Sequence, residues 1–167
     1  MSGRVDVPYV GDERSLLLGW LDWHRETVHV KCAGLAESSA WRTPLPTPSL
    51  TSAAGLVSHL TAVESYWFEE IVAGLAVPAQ WTAEDPDLEW RRRPGATLVG
   101  QLAAYRRQCD RSRALLADVD LGSVCLGRRH GAEVSVRWVL LHMIEETARH
   151  NGHLDAVREL VDGIVGE

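Results

Sequence analysis

Three residues with metal-binding chemistry stand out in this chain: His59, Glu146 and His150. Glu146 and His150 are four residues apart, so on a helix their side chains can converge on one point. His142 and His153 extend the same face. At about 100° per residue, His142, Glu146, His150 and His153 fall within roughly an 80° arc. Val139, Met143 and Val157 flank this stripe, which predicts that it faces inward. An inward stripe of imidazole and carboxylate is costly, because buried polar groups need partners and buried charge needs pairing or a metal. One unsatisfied group of this kind costs about 1–3 kcal/mol. A divalent cation would satisfy several at once. His59, among Leu56, Leu60 and Val63 on the apolar side of an earlier helical stretch, is the candidate third ligand.

Three protein ligands with an open fourth position are the pattern of catalytic zinc, so zinc is the first expectation. Nickel, iron or manganese suit the same donors. Each residue also has a plainer reading. A lone histidine such as His59 can be a hydrogen-bonded core residue, and Glu146 with His150 can be a surface ion pair. Other metal templates are missing, with no HExxH and no paired ExxH of the di-iron bundles.

These residues need rigid elements to position them, and hydrophobic spacing predicts four helices. The first covers residues 12–36, with Leu17, Trp20, Leu21, His24, Val28, Cys32 and Leu35 at helical spacing and Asp12 as N-cap. Pro44, Pro46 and Pro48 mark a loop. The second helix starts at Thr51 or Ser52 and runs to about residue 74, with a stripe of Leu56, Leu60, Val63, Trp67 and Ile71. Residues 77–96 have no periodicity and carry Pro78, Pro86, Pro94 and the run Arg91, Arg92, Arg93; a connection this long is usually functional or mobile. The third helix begins at Thr97 and reaches about residue 119. Residues 120–133 are glycine-rich, with room for a short hairpin. The fourth helix starts at Ser135 and stops at Gly163. The expected fold is all-α, a four-helix bundle with long loops after the second and third helices.

The length of 167 residues suits a single domain, residues 1–167. A net charge of -6 lacks the basic face of a nucleic-acid binder, so no nucleic-acid partner is expected. Residues 1–12 hold no apolar signal-peptide core, and no run of about 18 apolar residues exists to span a membrane. Cys32, Cys109 and Cys125 are odd in number with no CxxC pair, which reads as free thiols in a reducing cytoplasm. Lys31 is the only lysine among 17 basic residues, a bias that matches a GC-rich genome.

Two stretches carry a family resemblance: Gly55-Leu-Val-Ser-His59-Leu-Thr-Ala-Val-Glu64-Ser-Tyr-Trp67-Phe, and Val134-Ser-Val-Arg-Trp138-Val-Leu-Leu-His142-Met-Ile-Glu145-Glu146-Thr-Ala-Arg149-His150-Asn-Gly-His153. With the helix order and loop placement, they resemble the DinB-like superfamily of metal-binding four-helix bundles over most of the chain. The nearest branch holds mycothiol-dependent maleylpyruvate isomerase and bacterial thiol S-transferases. The resemblance implies that His59 is the second-helix metal ligand. It implies two further ligands four residues apart, Glu146 and His150, the latter just before Asn151 and Gly152. Many members have histidine at the Glu146 position; glutamate there is similar to the mycothiol-dependent isomerase.

The activity implied is that of a metal-dependent thiol S-transferase or isomerase. It would join a low-molecular-weight thiol such as mycothiol to a small electrophile, or isomerise that electrophile. His142 and His153 are the candidate catalytic residues, as outer partners of the ligands, as general bases or as substitute ligands. Arg91, Arg92 and Arg93 are candidate anchors for a substrate carboxylate, with a solvated loop as the plain reading. His24 is read as core-facing and His130 as loop surface. Related bundles are often dimers, and the seven tryptophans offer an interface for a homodimer. Two other functions use the same residues: a metal-dependent hydrolase, and a non-catalytic, stress-related binding module.

Overall fold

Side-chain caps begin the long helices. Asp12 accepts from the Ser15 amide at 3.0 Å and opens α1 (Glu13–Cys32). After a turn at Gly34, where φ is 72°, comes the single helical turn α2 (Glu37–Ala40). Ser52 accepts from the Gly55 amide at 3.1 Å and opens α3 (Ala53–Glu64). Thr97 does the same for α4 (Leu98–Leu116), and Ser135 for α5 (Val136–Asp162). Each cap satisfies an amide that has no partner inside the helix, a contribution of about 1 kcal/mol. The left-handed residue Gly163, at φ 76°, ends α5. The computed structural model describes residues 4–46 and 50–166; Pro48 and both ends of the 1–167 span lie outside the described residues.

Among the described residues the regular structure is helical, with no strand. Helix α1 lies along α5, and α3 lies along α4. The buried apolar side chains form two clusters. One gathers Val28, Leu56, Leu60, Tyr105, Leu154 and Val157; the other gathers Leu21, Trp67, Phe68, Ile71, Leu140 and Met143. No helix is long and apolar enough to cross a membrane.

The stripe read for α1 needs one correction. Trp20 is 46 % exposed, while Arg25, outside the predicted stripe, is buried. Arg25 donates through Nε and Nη2 to the two oxygens of Glu64 at 2.8 and 2.7 Å, and through Nη1 to Asp22 at 2.9 Å. Burial opposes the Arg25 charge, but Glu64 outweighs it and holds the guanidinium protonated. All three cysteines are buried free thiols. Burial pushes Cys32 up to about 12 and raises Cys109 and Cys125, so none supplies a thiolate.

The second predicted helix also differs in its later half. After Glu64 the chain widens into a π-helical stretch, Ser65–Val72, and the Ala73 amide reaches back to the Phe68 carbonyl at 3.1 Å. Its end is capped from the glycine-rich segment: the Leu126 amide donates to Val72 at 3.1 Å and the Gly127 amide to Ile71 at 2.8 Å. That segment contains two isolated bridges, Val124 with Ser135 and Arg129 with Ala132, instead of a hairpin ladder. The docking depends on the bare backbone of residue 127, since a Cβ there would lie 2.3 Å from the Glu70 carbonyl oxygen. Gly127→Ala is therefore expected to destabilise the fold by about 1–3 kcal/mol, as overpacking does. Gly152, inside α5 with nothing within 4 Å of its Cβ position, should do the reverse. Gly152→Ala is expected to add about 0.5–1 kcal/mol. Urea unfolding of the two variants measures both.

Candidate metal centre

Helix α3 presents His59, and α5 presents Glu146 and His150 one turn apart. The three side chains meet. One donor atom from each lies within 4.8 Å of the others. The His59 and His150 Nε2 atoms are each 3.2 Å from the same oxygen, Glu146 Oε1. The two rings stand edge to face with centroids 4.7 Å apart. The side chains are 14 %, 16 % and 11 % exposed for His59, Glu146 and His150, so the cluster is shielded but reachable.

The far side of each imidazole is already engaged. His59 Nδ1 lies 3.3 Å from Glu89 Oε1, and His150 Nδ1 lies 3.2 Å from His153 Nδ1. Both ring nitrogens of His59 therefore face a carboxylate oxygen, and a neutral imidazole can donate to only one of them. His150 likewise has Glu146 Oε1 at its Nε2 and the His153 imidazole at its Nδ1. A cation at the point where the two Nε2 atoms and Glu146 Oε1 meet would match the lone pairs of all three at once. Two imidazoles and one carboxylate are a common donor set for zinc and its neighbours, and a carboxylate behind a ligating imidazole is the usual way to fix its tautomer. Hydrogen bonds from His150 first and His59 second hold the Glu146 carboxyl far below the usual carboxylate range. The second oxygen of Glu89 is buried and has no hydrogen-bond partner. The residues present fit a divalent ion.

Glu89 and Trp90 both come from a short 3-10 turn, Leu88–Trp90, within the long segment after the π-helical stretch. Trp90 stacks on His59 with ring centroids 4.3 Å apart. Sequence reasoning named neither residue. The length of the segment hinted at a role, but nothing in its pattern distinguished Glu89 from the other acids around it.

A cleft of about 390 Å³ opens beside the cluster. His59, Glu89 and Glu146 line it together with Val63, Tyr66, Trp67, Trp81, Pro86, Arg129 and His142. His142 is thus in the cleft wall, one turn before Glu146. It stacks on Trp138 with centroids 5.2 Å apart and meets Trp67 at 4.7 Å. His153 lies behind His150, on the side away from Glu146. Partial burial holds its imidazole below the ordinary value, and the charges of His150 and Arg149 act the same way.

The arginine run falls elsewhere. Arg91 pairs with Asp85 at 2.9 Å; Arg92 pairs with Glu37 at 3.5 Å and lies over Trp41; Arg93 is exposed. Arg91 and Arg92 line a separate depression with Trp41 and Trp90. The cation of the cleft is Arg129, which sequence reasoning did not single out. His24 is half-buried against Trp20, and His130 is exposed in its turn.

Residues 16–163 match the family model described as mycothiol-S-transferase. The chain belongs to the mycothiol S-transferase family. That family is of the DinB-like superfamily. The matched span of this mycothiol S-transferase family member contains the whole cluster, the 3-10 turn behind it and every residue named in the cleft wall. None of the curated proteins matches the sequence.

Proposed function

We propose that this chain holds a divalent metal, zinc in the first instance, with His59, Glu146 and His150, and transfers a low-molecular-weight thiol such as mycothiol to a small electrophile. The scaffold in this reading is a DinB-like four-helix bundle built from α1, α3 with its π-helical extension, α4 and α5. Its long connections after the second and third of these helices carry Glu89 and Arg129 to the site. The observation that carries the reading is the convergence of two imidazole nitrogens on one glutamate oxygen while their outer nitrogens are already engaged.

A divalent ion held there supplies one kind of chemistry: it favours the ionised form of a bound thiol, and the thiolate is the competent nucleophile. The chain's own residues do the rest. Glu89 fixes the His59 ring, and His153 fixes the His150 ring. Trp90 covers one face of His59 and keeps water from it. In this reading His142, which lines the cleft, takes the thiol proton. The sulfur forms its bond to an electrophilic carbon as the leaving group departs with its electron pair, and the thiol proton passes through His142 to solvent. The buried cysteines take no part, so the nucleophile comes from outside the chain.

The zinc-loaded protein is expected to consume mycothiol in the presence of chloro-dinitrobenzene, faster than glutathione or bacillithiol, and to stop when a chelator removes the metal. Thiol loss no faster than the uncatalysed reaction, with all three thiols, would overturn the transferase reading. Thiol-independent ester cleavage would replace it with the hydrolase. Protein purified without chelator and free of metal would replace it with the non-catalytic module.

A further inference from the structure

We infer that Arg129 forms an anion subsite in the cleft, and that the electrophile is a flat, unsaturated or aromatic acid whose carboxylate docks on this guanidinium. The inference rests on the transferase reading for the identity of the reaction, but not for the existence of the subsite.

Arg129 is presented by a tight turn. Its amide and carbonyl both bond to Ala132, at 3.0 and 2.9 Å, and the two residues between, His130 and Gly131, have φ of 50° and 80°. Positive φ at both central residues is the signature of a two-residue I′ turn, which splays little and holds its flanks in register. Two residues earlier, the Gly127 amide ties the same segment to the end of the π-helical stretch at 2.8 Å. The segment is therefore anchored at both sides of Arg129.

The guanidinium lies over two rings of that stretch, 5.6 Å from the Tyr66 centroid and 5.4 Å from that of Trp67. Among the described residues its one side-chain hydrogen bond goes to the Tyr66 hydroxyl, at 3.4 Å. Among the described residues no carboxylate lies within ion-pair distance of it, whereas the adjacent Arg128 pairs with Glu133 at 3.0 Å. A guanidinium offers five donors in a rigid fork that matches a carboxylate, and stacking on aromatic rings holds the fork in place before a ligand arrives. Most of these donors are unused here, in a half-buried position on the wall of a cleft that also contains His59 and Glu146. Tyr66 and Trp81, with centroids 5.4 Å apart, and Trp67 supply apolar surface for a flat skeleton between the two ends. The arrangement suits a molecule with an anionic end at Arg129 and a reactive carbon nearer the histidines.

Two matched electrophiles test this: a chloro-dinitrobenzoate and the uncharged chloro-dinitrobenzamide with the same ring. In each, the sulfur–carbon bond forms, the carbon–chlorine bond breaks, chloride leaves with the electron pair and the thiol proton goes to solvent. The zinc-loaded protein is expected to prefer the benzoate in kcat/KM by roughly tenfold or more, the worth of one charge-assisted contact. Arg129→Gln should bring the ratio toward one, mainly through KM, and Arg129→Lys should keep part of the preference. An unchanged ratio in Arg129→Gln overturns the proposal.

A second arm needs no turnover: calorimetric binding of 3,5-dinitrobenzoate to the zinc-loaded protein without thiol. Binding that weakens about tenfold or more in Arg129→Gln supports the subsite even if no thiol is ever transferred. Benzoate binding that is absent, or that survives in Arg129→Gln, overturns the subsite even if the transferase reaction runs.

Discussion

His150→Ala is expected to abolish stoichiometric zinc uptake, measured by elemental analysis after dialysis and by competition titration. In this variant Glu146 loses the imidazole 3.2 Å from its Oε1, and the donor set falls from three to two. Loss of an outer partner of a metal ligand lowers affinity by roughly 10–100-fold, and loss of a ligand itself should exceed that range. Glu89→Gln is the matched comparison. It keeps the shape of the side chain behind His59 but removes the charge that fixes the Nδ1 proton, so it should retain metal with affinity lower by about 10–100-fold. His130→Ala, in an exposed turn, should bind as the parent protein does. The same contrast should appear in unfolding. A ligand present at about 100 times its Kd stabilises the native state by about 2.7 kcal/mol, and that increment should vanish for His150→Ala. Full zinc occupancy of the His150 variant at parental affinity would remove the basis for the ligand set.

Glu64→Ala is expected to destabilise the fold by about 3–5 kcal/mol, the range for one partner removed from a buried ion pair. Glu64 is 0 % exposed and Arg25 2 %, and the two make a bidentate contact that ties α1 to α3. The cost comes from the partner left behind: a guanidinium without its carboxylate is a buried charge whose one remaining ion-pair partner among the described residues is the partly exposed Asp22. Total stabilities of about 5–15 kcal/mol make this loss a large fraction of the whole. The double variant Arg25→Met with Glu64→Leu removes both charges and should recover most of the loss, because apolar groups of similar volume replace a buried pair with little penalty. Urea unfolding of the three proteins decides it. A Glu64→Ala loss below about 1 kcal/mol would mean that water or rearrangement satisfies Arg25, and the pair would not be the tie described.

The local features of this chain were open to inspection in the sequence because they arise within a few residues of themselves. Asp12, Ser52, Thr97 and Ser135 cap helices through bonds to amides three residues on, and Gly163 ends one through its own backbone freedom. The apolar spacing of Leu56, Leu60, Val63, Trp67 and Ile71 named a face that the structure buries. Glu146 and His150 stand on one helix face because helical geometry places positions four apart together. The apolar neighbours Leu56, Leu60 and Val63 mark His59 as the candidate third ligand, the family motifs point to the same residue, and the structure brings it to that pair.

Only the tertiary structure decided what surrounds those residues. His59 meets Glu146 across 87 positions, Arg25 meets Glu64 across 39, and Glu89 reaches His59 across 30 from a segment with no periodic pattern. Arg129 reaches Tyr66 across 63, while the more conspicuous run at Arg91 and Arg92 turns to Asp85 and Glu37. Periodicity records which side of an element is apolar, and that is a property of the chain alone. Which charged side chain finds which partner depends on how elements distant in sequence come to rest against one another, and no local pattern carries that information.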